Sequence, residues 1–207
     1  MLENVKKAIE TGKRKQIGDV VQAAVDAGVA PKEILDAMIS TMDVIGEKFQ
    51  KNEIFVPEML VAGLTMKKGV EALKPYLAGD DSSSKGTFII GTVAGDLHDI
   101  GKNLVALMVE SAGFKVIDLG VDVPAEKFVE TIKANPDCHV VGISALLTTT
   151  MEAMKITVEA IIAAGLQDQV KIMVGGAPVT ADFAASIGAD VYTPDAGSAA
   201  QKAKEIA

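Results

Sequence analysis

Near residue 80 the spacing of apolar residues changes, and that change limits the fold more than any other feature of the chain. Up to about residue 78, apolar residues return every three or four positions, the period of a buried helix face. Leu2, Val5 and Ile9 mark a short first helix, broken at Gly12. Ile17, Val20, Val21, Ala24 and Val25 mark a second, ended near Gly28. Pro31 opens a third, which carries Leu35, Met38, Met42, Ile45 and Phe49. After a link from Gln50 to Ile54, Met59, Ala62, Met66, Val70 and Leu73 mark a fourth. Four amphipathic helices on short links predict an up-down bundle.

The stretch Gly79-Asp-Asp-Ser-Ser-Ser-Lys-Gly86 is small and polar, as linkers are. Beyond it, short apolar runs alternate with helical patterns. Thr87–Val93, Lys115–Leu119, His139–Ser144, Val170–Val174 and Asp190–Tyr192 read as strands. Between them lie helices at about 100–112, 125–134, 151–164 and 181–187, and a last one begins near Ser198. Such alternation predicts a doubly wound, Rossmann-like α/β domain with a five-stranded parallel sheet. The expected organisation is a helical domain over 1–80, a linker over 81–86 and the sheet domain over 87–207. Ligands on such sheets bind beyond the C-terminal ends of the strands, where the strand order reverses.

Composition excludes several classes. With 20 Lys and Arg against 28 Asp and Glu, the formal charge of -8 repels phosphate backbones and anionic membranes. No apolar run approaches the ~18 residues of a membrane span. The first residues lack a signal-peptide core, so a cytoplasmic location is expected. Cys138 is the only cysteine, which rules out an intrachain disulfide and a thiolate metal cluster.

The loop after the first strand, Gly95-Asp-Leu-His-Asp-Ile-Gly-Lys-Asn103, holds one of only two histidines. It is not a P-loop, because five residues rather than four separate Gly95 from Gly101-Lys102, and Asn103 stands where a Ser or Thr would bind magnesium. Gly142-Ile-Ser-Ala-Leu146 begins like a nucleophile elbow but lacks its closing glycine, and no histidine follows it. Asp96 and His98 have the spacing of an acid-base pair, yet no further nucleophile or base accompanies them. A catalytic zinc needs three protein ligands, which this loop does not supply. A single imidazole is enough where a macrocycle supplies the other ligands of a metal, as in haem proteins.

Asp96-Leu-His98-Asp-Ile-Gly101, then Ser144-Ala-Leu146, then Gly175-Gly176, resembles the cobalamin-binding signature D-x-H-x-x-G, S-x-L, G-G. In the helical half, Gly46-Glu-Lys-Phe49 and Phe55-Val-Pro-Glu-Met59 resemble the cap module that precedes this domain in methionine synthase and in small corrinoid methyl carriers. The resemblance covers nearly the whole chain.

It implies a cobalamin or methylcobalamin cofactor, with His98 as the lower ligand to cobalt in place of the cofactor's own base. His98 would bind and release as the methyl group arrives and leaves. Asp96 would take the other ring N–H, and Thr150 would extend that relay. Gly95, Leu97, Asp99, Ile100 and Gly101 would line the cofactor beside His98. Gly101, Gly175 and Gly176 would leave room for the displaced nucleotide tail. Ser144, Leu146 and Thr148 would line the slot, and Tyr192, Asp195 and Ala196 would lie near its far end. Phe49, Val56 and Met59 would shield the upper face.

The chain lacks a substrate-binding barrel, so it would serve as a non-catalytic methyl-carrier subunit. One substrate-specific methyltransferase would load it from an O-methyl compound, methanol or a methylamine. An acceptor methyltransferase acting on tetrahydrofolate or coenzyme M would unload it, and a reductive activase would maintain it. The alternative is a cobalamin-dependent sensor or regulator, which would need an added DNA-binding element and a basic surface. A mutase, which must house an adenosyl group, would not want a close cap.

Overall fold

The computed structural model describes residues 1–77 and 85–207, which fall into two compact units. The predicted linker lies almost wholly on 78–84, outside the described residues. Gly86 at its end is described, and its carbonyl accepts the N–H of Lys115 at 3.1 Å.

The first unit contains four helices, α1 (Leu2–Glu10), α2 (Ile17–Asp26), α3 (Pro31–Gln50) and α4 (Val56–Leu77). Its helix ends are written into the sequence. The first three helices close in the same left-handed turn, on Gly12 (φ 63°), Gly28 (φ 81°) and Asn52 (φ 58°). After each, the two next N–H groups reach back across the last turn, as Gly28 to Val25 and Val29 to Ala24 do after α2. Pro31 starts α3, where its missing N–H costs nothing. Glu58 closes the start of α4 by accepting the N–H of Phe55 at 2.7 Å. The apolar stripes then meet, with Ile9, Ile17, Met38, Met59, Met66 and Leu73 among the fully buried side chains. Gly69 lets α4 come close, since a Cβ there would lie 2.5 Å from the Met38 methyl.

The second unit is the α/β domain. Its strands are β1 (Thr87–Thr92), β2 (Lys115–Asp118), β3 (Cys138–Ser144), β4 (Lys171–Gly175) and β5 (Val191–Tyr192). They pair in parallel in the order β2-β1-β3-β4-β5. The helices are α5 (Ile100–Ser111), α6 (Ala125–Ala134), α7 (Met151–Ala163), α8 (Ala181–Ser186) and α9 (Ala196–Ile206). All six residues of β1 are buried, as expected of a central strand covered on both faces. Phe128 and Ile132 of α6, Met154 and Val158 of α7 and Ala184 of α8 share one core with Ile89, Val141 and Ile172 of the sheet. The crossover through α5 runs the other way along the sheet, so right-handedness sends α5 to the opposite face.

The expected fold is therefore present, a four-helix region followed by a five-stranded parallel α/β domain. The last helix starts at Ala196 rather than Ser198, because Asp195 caps it by accepting the Ser198 N–H at 2.8 Å. The chain reverses direction across the sheet between β1 and β3, so the loops after these two strands flank the switch point. Among the described residues no helix is long and apolar enough to cross a membrane.

Candidate functional site

The loop after β1 turns sharply at Gly95 (φ 79°), which carries Asp96 back under the loop. Asp96 is completely buried. Its Oδ1 accepts the backbone N–H of His98 at 3.0 Å and faces His98 Nδ1 at 2.7 Å. Its Oδ2 accepts the backbone N–H of Leu146 at 2.7 Å and the Thr150 hydroxyl at 2.8 Å. One carboxylate thus ties together the loops on either side of the switch point. Burial alone pushes the Asp96 carboxyl upward. The backbone N–H groups of Leu146 and His98, with the side chains of His98 and Thr150, outweigh that and hold it far below the usual carboxylate range.

An ionised Asp96 at 2.7 Å keeps a proton on His98 Nδ1, so the lone pair of the neutral ring sits on Nε2. Nε2 makes no hydrogen bond among the described residues, and the side chain is half exposed. Large apolar side chains flank it in the open. Leu97 is 72% exposed and Ile100 78%, while Leu146 and Leu147 on the neighbouring loop are each 41% exposed. An imidazole with one nitrogen anchored and the other bare, set among exposed apolar groups, suits a metal held in a flat apolar macrocycle. A bare ion would lack ligands, since the described residues contain no cluster of three or more His, Cys, Asp or Glu able to hold one.

Thr150 does two things at once. Its oxygen accepts the Leu147 N–H at 3.3 Å, capping the 3-10 turn at 148–150, and its hydroxyl reaches Asp96. Ser144 ends β3 opposite Gly175, half-buried, and its hydroxyl has no partner among the described residues. Thr148 is exposed. Asp99 is exposed and accepts the Asn103 side-chain amide at 3.1 Å at the start of α5.

The glycines separate by what surrounds them. A Cβ on Gly101 would meet nothing within 4 Å, so space beside the loop is open there. A Cβ on Gly175 would sit 3.0 Å from the Thr193 carbonyl oxygen. Gly176 has φ 131°, and a Cβ there would lie 1.8 Å from the Ala145 carbonyl oxygen. Glycine at 176 is therefore required by the backbone of the β3 loop itself. At the far end, Tyr192 is half-buried against the main core and Ala196 is buried in the first turn of α9. Both carboxylate oxygens of Asp195 are taken by Ser198, at 2.8 Å from its N–H and 2.8 Å from its hydroxyl.

Several supporting residues escape a reading of motifs. The Thr92 hydroxyl donates to the His98 carbonyl at 2.9 Å. Asp122 accepts the Gly95 N–H at 2.7 Å, and its own N–H donates to the Asp96 carbonyl at 2.9 Å. Lys102, only 2% exposed, places Nζ 2.7 and 2.5 Å from the two Asp118 oxygens and 2.6 Å from Asn103 Oδ1.

In the helical unit Phe49 is half-buried and Val56 is 42% exposed, whereas Met59 is fully buried. Phe55, 64% exposed, and Leu60, 42% exposed, show more surface than Met59 does.

Two known families cover this geometry. A B12 binding domain matches residues 86–203, and a second B12 binding domain matches residues 1–74. The chain belongs to the B12-binding corrinoid proteins. It is 40% identical over 207 residues to dimethylamine corrinoid protein 3 of Methanosarcina acetivorans, covering 100% of this chain and 96% of that one. The trimethylamine corrinoid protein of Methanosarcina barkeri is 42% identical, with 99% and 95% covered. A cobalamin-binding protein from Desulfitobacterium hafniense superposes with a TM-score of 0.84 at 31% identity, over 100% of this corrinoid protein and 98% of the other. A chain of the methanol:cobalamin methyltransferase complex MtaBC of Methanosarcina barkeri gives 0.84 at 31% identity, over 98% and 77%. The expected cobalamin and the expected corrinoid methyl carrier of a methyltransferase system are both borne out by these matches.

Proposed function

We propose that His98 Nε2 would bind the corrinoid cobalt in place of the cofactor's own base, and that the methyl group carried comes from a methylamine. The observation that supports the ligand assignment most is the divided imidazole, with Nδ1 fixed on a buried carboxylate and Nε2 bare among exposed Leu97, Ile100 and Leu146. A bound corrinoid supplies a cobalt centre that takes up and gives away a methyl group. The protein's part is to hold Nε2 at one height and one tautomer. Asp96 does this through Nδ1, and Leu146 N–H and Thr150 hold Asp96 in turn.

The tail slot opens beside Ser144, whose free hydroxyl is the donor for the displaced base. Leu146, Thr148 and Gly175 would line it, with Gly95, Leu97, Asp99, Ile100 and Gly101 on the side of His98. Gly176 shapes it by keeping the β3 loop close. Tyr192, Asp195 and Ala196 bound its far end as part of the scaffold. Within the helical unit the side chains with surface are Val56 and Phe49 with Phe55 and Leu60, while Met59 is buried beneath them.

The methylamine assignment is supported by relatives of 40–42% identity whose names specify dimethylamine or trimethylamine. The MtaBC complex joins a structural relative to a methyltransferase. By the same logic this protein meets a methylamine-specific methyltransferase, an acceptor methyltransferase and a reductive activase, without nucleic acid or membrane.

The test is reconstitution with cobalamin followed by single-turnover methylation from mono-, di- and trimethylamine and from methanol, each with its own methyltransferase. The reconstituted protein is expected to show the optical and paramagnetic signature of histidine on cobalt with the benzimidazole released. One of the amines should load it faster than methanol does. A spectrum retaining benzimidazole would remove the ligand assignment; preference for methanol would remove the donor assignment.

A further inference from the structure

The Asp96–His98 contact fixes the imidazole relative to Asp96, but it does not fix the height of the backbone that carries His98. Two residues outside the recognised motif do that. Thr92 is the last residue of β1 and is completely buried. Its hydroxyl donates to the carbonyl of His98 at 2.9 Å, spanning the loop across its base. From the other side comes the loop that joins β2 to α6. Asp122 there adopts a left-handed conformation with φ 53°, which Asp tolerates better than most residues. That conformation lets one residue make two opposed bonds. Its carboxylate accepts the Gly95 N–H at 2.7 Å, and its N–H donates to the Asp96 carbonyl at 2.9 Å. The two loops are laced together further by Thr92 N–H to the Gly120 carbonyl and Val123 N–H to the Thr92 carbonyl, both at 3.0 Å.

Three backbone groups in the span 95–98 are therefore held by residues that no ligand role explains: the Gly95 N–H, the Asp96 carbonyl and the His98 carbonyl. We infer that Thr92 and Asp122 are positioning residues that set the height of His98 Nε2, and so set the balance between histidine-bound and histidine-free cobalt. Neither residue touches the cobalt; both act through the loop. A well-placed ligand binds because little ordering remains to be done, so loosening the loop weakens the bond without removing the ligand. The inference rests on the assignment of His98 as ligand.

The experiment uses the full-length protein loaded with cobalamin and brought to the cobalt(II) state. In protein labelled with 15N-histidine, the doublet splitting of its paramagnetic spectrum counts the histidine-bound fraction apart from the triplet of the cofactor's own 14N base, and the thermal midpoint of the unloaded protein reports folding. Thr92→Val keeps the shape and removes the donor; Thr92→Ser restores it. Asp122→Gly keeps the left-handed turn and removes the carboxylate; Asp122→Asn restores an acceptor.

The bound-to-free ratio is expected to fall about fivefold in Thr92→Val and about tenfold in Asp122→Gly, with substantial recovery in Thr92→Ser and Asp122→Asn. Lowered thermal midpoints with an unchanged ratio would show a purely structural role and overturn the inference. A wild-type protein with no histidine signature would overturn the ligand assignment, and this inference with it. The two sites lie on different elements, so misfolding of one variant leaves the other to decide.

Discussion

The end of β1 and the start of α4 present opposite kinds of surface. At the end of β1, both oxygens of the buried Asp96 carboxylate are engaged, one by the backbone and ring of His98 and the other by Leu146 and Thr150 of the neighbouring loop. At the start of α4, large apolar side chains stand exposed, with Phe55, Val56 and Leu60 each more than two-fifths exposed. The first region is specified atom by atom, since a buried polar group left without its partner costs more than the bond itself is worth. The second is specified only by pattern and bulk. Substitutions should therefore act sharply in the first and depend on burial alone in the second.

The largest effect is expected at Gly176. Gly176→Ala forces a methyl against the Ala145 carbonyl oxygen, 1.8 Å away, at φ 131°. The expected loss is about 3 kcal/mol or more, seen as a lower urea midpoint or failure to accumulate folded protein. An unchanged midpoint would mean that the β3 loop moves freely, and that the switch point is less rigid than its bonds suggest.

Next comes a pair that divides the helical surface from its interior. Met59→Ala removes a fully buried side chain and should cost about 2–5 kcal/mol. Phe55→Ala, one turn earlier and 64% exposed, should stay within about 0.5 kcal/mol of wild type in the same urea titration. A large loss at Phe55 would show that this aromatic side chain is structural rather than held out for a ligand.

Asp96→Asn follows. An amide presents a donor where the carboxylate accepted, so one of the opposing donors loses its partner, at about 2–3 kcal/mol in the unloaded protein. The pH dependence has a definite sign. The folded-state carboxyl lies below its unfolded value, so its stabilisation is complete above about pH 4 and drains away as the pH falls further. Urea midpoints of wild type and Asp96→Asn should therefore differ at neutral pH and converge in acid. A gap that persists undiminished in acid would assign the loss to packing rather than to the charge.

These contrasts follow what could be read before the structure was known. Apolar period placed α3, α7 and all five strands nearly where they are, because burial on one face or two dictates spacing. The helix ends at Gly12 and Gly28 were readable because glycine interrupts a helical pattern, and the structure shows both in a left-handed turn. The resemblance carried by Asp96, His98, Ser144 and Leu146 pointed to the candidate site, and the structure brings Asp96, His98 and the Leu146 N–H together. Other features depend on geometry that spacing does not encode. Thr92 looks like any threonine in an apolar strand until its hydroxyl is seen to meet the His98 carbonyl. Asp122 lies 27 residues from Gly95 in sequence and in a different loop. Met59 and Phe55 show the limit in the helical half. A three-to-four period locates a stripe but leaves its flank ambiguous by one residue, and Phe55 precedes the helix and so has no phase in it. Gly176 was readable as important, but for the tail slot rather than for the carbonyl that crowds it.

The smallest effect separates the two glycines and tests the remaining assignment most cleanly. Gly101 lies in the first turn of α5 without a left-handed backbone, and a Cβ there would meet no atom within 4 Å. In the unloaded protein, Gly101→Ala should therefore be neutral or stabilising, by up to about 1 kcal/mol, because alanine loses less backbone freedom on entering a helix. If the open space belongs to the corrinoid, the same methyl group intrudes when the cofactor binds, and cobalamin affinity should fall. The two measurements then move in opposite directions, a higher unfolding midpoint with weaker binding, which no general damage to the fold produces. A gain in stability with unchanged cobalamin affinity would place the cofactor elsewhere than beside Gly101, and would leave the glycine at this position without a physical reason.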